Sequence, residues 1–323
     1  MLLSTVSPVP VPMHIPDGFL SLVVALIGWV VAVVGIGLAL WRSREALGDR
    51  QVPLMGVLAA FIFAAQMLNF TVAGGTSGHF VGGALAAILL GPWAGMLVMT
   101  TVVAVQALLF QDGGLLVMGA NITNMAIIAP LVAYGVYRGV RLLAGEERWG
   151  LLAGGAVAAW ASVVVSATAC AIELGFSGTS PIGVALPAMA GIHVLIGIGE
   201  GLITLGALAL VSVVRPDLVE AGRSSARGGL RWVWAGLALA LALTLISPLA
   251  SPHPDGLERV AEDIGFLEAA QDAPYEIIPD YVFPGISNEA LATIVAGVAG
   301  TIVVFGLAVG LAALYRRRAV SQA

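Results

Sequence analysis

The chain has 323 residues, 59% of them hydrophobic and 10% charged, with a formal net charge of −5 at pH 7. A soluble domain carries about a quarter of its residues charged, so this composition, with a mean hydropathy of +1.00, excludes a water-soluble protein and specifies an integral membrane one. The single Cys170 excludes an intrachain disulfide and a cysteine metal cluster, and the lack of any lysine excludes a Walker phosphate loop.

Met1–Pro12 lacks the basic start and long apolar run of a signal peptide, and Pro8, Pro10 and Pro12 would break a helix there. Residues 1–12 are therefore expected to be a nonstandard leader or a start assigned too early. Next comes Met13-His14-Ile15-Pro16-Asp17-Gly18, where a histidine adjoins a Pro-Asp-Gly turn signal, the mark of an ordered segment. Apolar runs follow at Phe19–Trp41, Pro53–Phe70, Gly78–Leu90, Pro92–Phe110, Met118–Val140, Gly150–Leu174, Ile182–Val214, Leu230–Leu249 and Glu289–Tyr315. Runs of this length in a bilayer must satisfy their own backbone, so they read as helices. The expected fold is an all-α polytopic membrane protein of about nine transmembrane helices. The third run is short and reads as tilted or re-entrant.

Arginine placement sets the expected orientation. With the N-terminus outside, every arginine except Arg259 falls in a cytoplasmic loop, at a cytoplasmic helix end or in the C-terminal tail, which is the positive-inside pattern. The C-terminus is then cytoplasmic. Residues 13–214 form a seven-helix part and residues 215–229 a cytoplasmic linker rich in Gly, Ser and Arg. Residues 230–323 form a two-helix hairpin around an outer loop, about 251–288, whose eight carboxylates run from Asp255 to Asp280.

Four groups of polar residues can carry chemistry. His14 and His79 both fall at the outer face, and two imidazoles with few competing ligands suit a borderline divalent ion; a helix-start histidine with a satisfied hydrogen bond is the plain alternative for His79. His193 and Glu200 lie seven residues apart in one run and share a helix face. They are functional by default as intramembrane ionisable groups, or a hydrogen-bonding pair that locks the bundle. Gln111-Asp112-Gly113-Gly114, Asn121 and Asn124 read either as partners that orient metal ligands or as helix caps. Gln66, Asn69 and Gln106 read the same two ways, with interhelical packing preferred. No catalytic motif is present, so the chain is not expected to be an enzyme. An intramembrane enzyme using His193 and Glu200, or an assembly scaffold, are the competing readings.

MHIPDGFLS at 13–21, PLMG at 53–56, FIFAAQMLN at 61–69, GGTSGH at 74–79, LLGPWAG at 89–95, QALLFQDGG at 106–114, Gly119–Met125 and His193–Gly201 recur in order. Together they resemble the CbiM/NikM family, the substrate-specificity components of energy-coupling-factor importers for cobalt and nickel. Pro254-Asp255-Gly256-Leu257-Glu258 resembles the PDGLE domain of the companion subunit CbiN/NikN, so the chain is similar to a fusion of the two. The resemblance implies a near-planar metal site made by the Met13 amine, the amide nitrogen and imidazole of His14, and the His79 imidazole. Ser77, Asn69, Gln106, Asn121, Asn124, His193 and Glu200 would support or couple it. It also implies Co(II) or Ni(II) as transported substrate rather than cofactor, a transmembrane coupling subunit, two cytoplasmic ATPases and a prokaryotic cell membrane; no nucleic acid is expected. An amine ligand at Met13 requires the functional chain to begin there.

Overall fold

The structure, a computed structural model, describes residues 13–44, 48, 50–145, 147–219 and 231–321. The expected leader at 1–12 and residues 220–229 of the linker lie outside the described residues. Each of the nine apolar runs is helical: α1 (Leu22–Ser43), α2 (Gln51–Gln66), α3 (Gly83–Leu90), α4 (Pro92–Leu109), α5 (Met118–Asn121) continuing through a wide-turned stretch Ile122–Ile128 into α6 (Ala129–Ala144), α7 (Arg148–Ser177), α8 (Ile182–Val214), α9 (Arg231–Ile246) and α11 (Glu289–Ser321). Seven of these spans are long and apolar enough to cross a membrane. Helix α10 (Gly256–Ile264) sits in the outer loop.

The third run departs from the expected Gly78 start. Phe70–Thr71 (β1) and Ser77–Gly78 (β2) form a small antiparallel pair, with Phe70 opposite Gly78. Gly82 then turns the chain with φ +83 before α3 begins. At 1.5 Å per residue α3 is about 12 Å long, less than half of a hydrocarbon core of about 30 Å. Gly91 and Pro92 reverse it directly into α4, a glycine turn followed by proline at a helix start. His79 therefore lies in a non-helical segment between β2 and α3, not at a helix start.

Small residues set how closely the helices approach. A side chain at Gly28 would lie 2.8 Å from the Ala120 nitrogen, and one at Gly119 would lie 2.5 Å from the Trp29 nitrogen, so α1 and α5 touch backbone to backbone. The opposite face of α1 exposes Leu22, Val23, Leu26, Ile27, Val30 and Val34, the pattern of a lipid-facing helix. The hairpin is not a separate body. Gly56 of α2 faces Phe305 and Val309 of α11, and Gly300 faces Phe63 and Phe110.

The loop expected to be outer lies along one end of the bundle rather than free in solvent. The nitrogens of Ser77, Ser251 and Gln271 bond or are bonded across it: Ser77 N donates to Pro254 O at 2.8 Å, Ser251 N to Asn69 O at 2.8 Å, and Gln271 N to Asp17 O at 2.8 Å. Asp255 starts α10 as a capping box, accepting from Glu258 N at 2.8 Å while Glu258 reaches back to Asp255 N. This docking places the Pro-Asp-Gly-Leu-Glu stretch over the N-terminal segment.

Candidate metal centre

The Met13–Gly18 segment is held from both sides. The Asp17 carboxylate accepts three backbone bonds, from Leu115 at 2.9 Å, Leu116 at 2.9 Å and Val117 at 3.1 Å. Asn121 clamps Ile15, accepting from its nitrogen at 3.1 Å and donating to its carbonyl at 3.0 Å. These bonds leave His14 buried against Gly113, whose φ is +98; a side chain there would lie 3.0 Å from the His14 Cβ. The His14 nitrogen donates to Asp112 Oδ1 at 3.3 Å, and His14 Nδ1 faces the Asp112 carbonyl at 3.2 Å.

His79 comes in from the opposite side. The segment carrying it is pinned by Glu200, which accepts from Val81 N at 2.7 Å and Gly82 N at 2.9 Å, while Gln66 Nε2 donates to Val81 O at 2.8 Å. His79 Nδ1 donates to the Phe80 carbonyl at 3.3 Å, which leaves the lone pair on Nε2. The His14 and His79 ring centroids are 5.6 Å apart and the rings stand at 86°. A ligating imidazole puts its centroid roughly 3 Å from the ion, given metal–nitrogen bonds of about 2 Å. Two rings sharing an ion thus have centroids within roughly 6 Å, and this pair satisfies that limit.

Met13, His14, His79, Asn121, Asn124 and His193 line one cavity of about 90 Å³. Asn124 Nδ2 donates to Glu173 Oε2 at 2.7 Å, and Ser166 holds the Asn124 carbonyl at 2.9 Å. His193 Nδ1 donates to Met189 O at 2.8 Å, so it does not pair with Glu200, and its ring lies under Gly256 of the outer loop. Ser77, Asn69 and Gln106 do not line the cavity. The Ser77 hydroxyl donates to His253 O at 2.8 Å, the Asn69 backbone carbonyl accepts from Ser251 N, and Gln106 Nε2 donates to Tyr281 Oη at 3.0 Å. All three serve the docking of the C-terminal loop.

Sequence reasoning passed over Glu173 and Tyr281. A carboxylate inside the apolar run Gly150–Leu174 was signal enough for the first. Nothing local marks Tyr281, whose ring is buried more than a hundred residues from its partners in sequence. Leu257 of the outer loop also lines the cavity. Burial pushes the Asp255 carboxyl up to about 8 against its cap bonds, with Glu258 and Asp112 adding to the rise. Burial likewise pushes Asp280 up to about 6, helped by Asp112, and takes Tyr281 well above its usual range.

Three comparisons with known proteins bear on this arrangement. The family described as cobalt uptake substrate-specific transmembrane region matches residues 14–218, and the PDGLE domain matches residues 230–317. A NikMN chain of Archaeoglobus fulgidus is 40% identical over 308 residues, 93% of this chain and 98% of its own. The fused nickel transport protein NikMN of Rhodobacter capsulatus is 32% identical over 94% of this chain and 99% of its own. A crystal structure of a truncated transition metal transporter superposes with a TM-score of 0.56 at 34% identity, covering 63% of this chain and 99% of that one.

Proposed function

Because the chain belongs to the family of cobalt uptake substrate-specific transmembrane proteins and carries a PDGLE domain behind that region, we propose that it is the substrate-binding subunit of an energy-coupling-factor importer for Co(II) or Ni(II). It is a multi-pass protein of a prokaryotic cell membrane and a transport component rather than an enzyme, and the metal is its cargo rather than a cofactor. The ion is taken by the amide nitrogen and imidazole of His14, the His79 imidazole and, in a chain beginning at Met13, the terminal amine. Amine, amide and imidazole nitrogens of adjacent residues close fused chelate rings, and an all-nitrogen plane suits Ni(II) and accommodates Co(II). Capture occurs at the outer face of nine helices with the N-terminus outside, which the arginine distribution supports. A coupling subunit and two ATPases supply the energy for release inward.

One observation carries this reading: His14 and His79, 65 residues apart in sequence, converge to a centroid separation of 5.6 Å in a cavity that Met13 also lines. Asn121 and Asn124 support it by fixing the Ile15 backbone and the cavity wall, and Glu200 by fixing the His79 segment. His193 and Glu200 serve different neighbours, so the pair an intramembrane enzyme would need does not form. His14→Ala and His79→Ala are expected to abolish binding of either ion by the purified full chain and its accumulation in cells. Wild-type binding by both variants would refute the ligand set. Sequencing the N-terminus of the membrane-extracted protein tests the amine; an intact Met1 in a binding-competent chain rules it out.

A further inference from the structure

Tyr281 of the C-terminal loop reaches the carboxylate that bonds His14. Tyr281 stacks on Phe110 with centroids 4.8 Å apart and planes at 20°, and leans on Phe63 at 6.1 Å. Its hydroxyl donates to Asp112 Oδ2 at 2.5 Å and accepts from Gln106 Nε2 at 3.0 Å. The other oxygen of that carboxylate, Oδ1, lies 3.3 Å from the His14 backbone nitrogen and 3.3 Å from His14 Nδ1. Those are the two nitrogens whose bonds to one ion would close a six-membered ring. This carboxylate oxygen is the one in front of both, with the Asp112 carbonyl also 3.2 Å from Nδ1.

The backbone around this contact is strained. Among the described residues, the non-glycines with positive φ are Gln111 at 54°, Asp280 at 51° and Tyr281 at 58°, a region that side chains other than glycine seldom adopt. All three meet here. Ile277 N donates to Gln111 Oε1 at 3.3 Å, Ile278 N to Leu109 O at 3.0 Å, and Asp280 N to Phe110 O at 3.2 Å. Strain that persists under such over-determined contacts points to a functional constraint.

We propose that Tyr281 is a positioning residue for ion capture, holding the Asp112 carboxylate across the two chelating nitrogens of His14 so that the ion gains them only when that carboxylate lets go. This rests on the assignment of His14 as a ligand. On binding the ion the amide nitrogen gives up its proton to solvent and has no hydrogen left to donate, so its bond to Asp112 and its bond to the ion exclude each other. Tyr281 anchors the carboxylate from the far side, and Gln106 anchors the tyrosine. The domain that covers the N-terminal segment thereby sets how fast that segment can chelate.

The test is stopped-flow binding of Ni(II) to the purified full chain. Tyr281→Phe removes the anchor and keeps the ring, and association is expected to speed up by about five-fold or more, as the loss of one ordinary hydrogen bond would give. The visible absorption of the bound ion stays as in the wild type, because the ligands are untouched. Tyr275→Phe loses a comparable bond, from its hydroxyl to Leu108 O at 3.0 Å, without touching Asp112, and is expected to bind at the wild-type rate. An unchanged or slower rate for Tyr281→Phe overturns the proposal, as does equal acceleration by Tyr275→Phe, which would trace the effect to a loosened loop. Should Tyr281→Phe fail to fold, Gln106→Leu is expected to act in the same direction, and no acceleration there overturns the proposal equally. His14→Ala separates the two claims: if it binds Ni(II) with the wild-type spectrum, the ligand assignment falls and the proposal with it. If it loses binding while Tyr281→Phe binds at the wild-type rate, only the role of Tyr281 falls.

Discussion

Replacing Glu200 with alanine separates the support of the His79 segment from the proposed role of His79 as a ligand. Glu200 is fully buried, and its two oxygens accept from Val81 N and Gly82 N at 2.7 and 2.9 Å. Those amides lie just before α3, two and three residues after His79, so without the carboxylate two donors lose their acceptor. Each costs about 1–3 kcal/mol to leave unsatisfied, or about 2–6 kcal/mol for both. The segment will relax to recover part of this, and the ion must then pay to restore the arrangement that presents His79. At the lower figure of about 2 kcal/mol the dissociation constant rises roughly thirty-fold. Glu200→Gln keeps one acceptor and brings an amide hydrogen against the second donor, so an intermediate loss is expected. Equilibrium competition against a chelator of known affinity, on detergent-purified full chain, measures this directly. Wild-type affinity in a folded Glu200→Ala protein would show that the His79 segment needs no anchor from α8.

Two further predictions concern the other walls of the site. Gly113→Ala places a methyl 2.9 Å from Asn121 Nδ2 and 3.0 Å from the His14 Cβ at a φ of +98; left-handed backbone alone costs about 1–2 kcal/mol, so Ni(II) affinity should fall by about ten-fold, and unchanged affinity in the same competition assay would refute it. Asp255 has an ordinary pKa of 3.8 that burial raises to about 8, so the folded chain keeps a proton the unfolded chain releases across that window, and stability should fall as pH rises from 3.8 through about 8. Asp255→Asn retains a good N-cap without the charge and should flatten that fall. Thermal melts of both proteins across the window decide it, and an equally steep decline in the variant counts against the argument.

Much of the architecture was legible because bilayer helices advertise themselves as long apolar runs, and each of the nine runs is helical. The third was read as starting at Gly78 because, His79 apart, residues 78–90 are uniformly apolar or small; the positive φ at Gly82 that delays the helix leaves no trace in hydropathy. His14 and His79 were legible as a pair through topology, since both fell at the outer face. His193 and Glu200 were correctly placed on one helix face, yet a shared face does not fix a shared partner, and each bonds to a different neighbour. Ser77, Asn69 and Gln106 were expected to support or couple the metal site, with interhelical packing preferred for Asn69 and Gln106. Their partners lie beyond residue 250, and no local pattern encodes a contact across that separation. For the same reason the eight carboxylates of the loop did not reveal that buried Leu257 and Tyr281 seat it.

The bond between Gln271 and Asp17, and that between Ser77 and Pro254, join segments of one polypeptide. Their meeting is governed by an effective concentration, on the order of millimolar for parts linked by a short tether, and not by how much of a second protein the membrane holds. Dilution in detergent or in the bilayer leaves that value unchanged. Each proposed metal site therefore carries its own cover at a fixed one-to-one ratio from the moment of synthesis. Changes in expression can alter how many sites there are, but not the fraction of them that are covered.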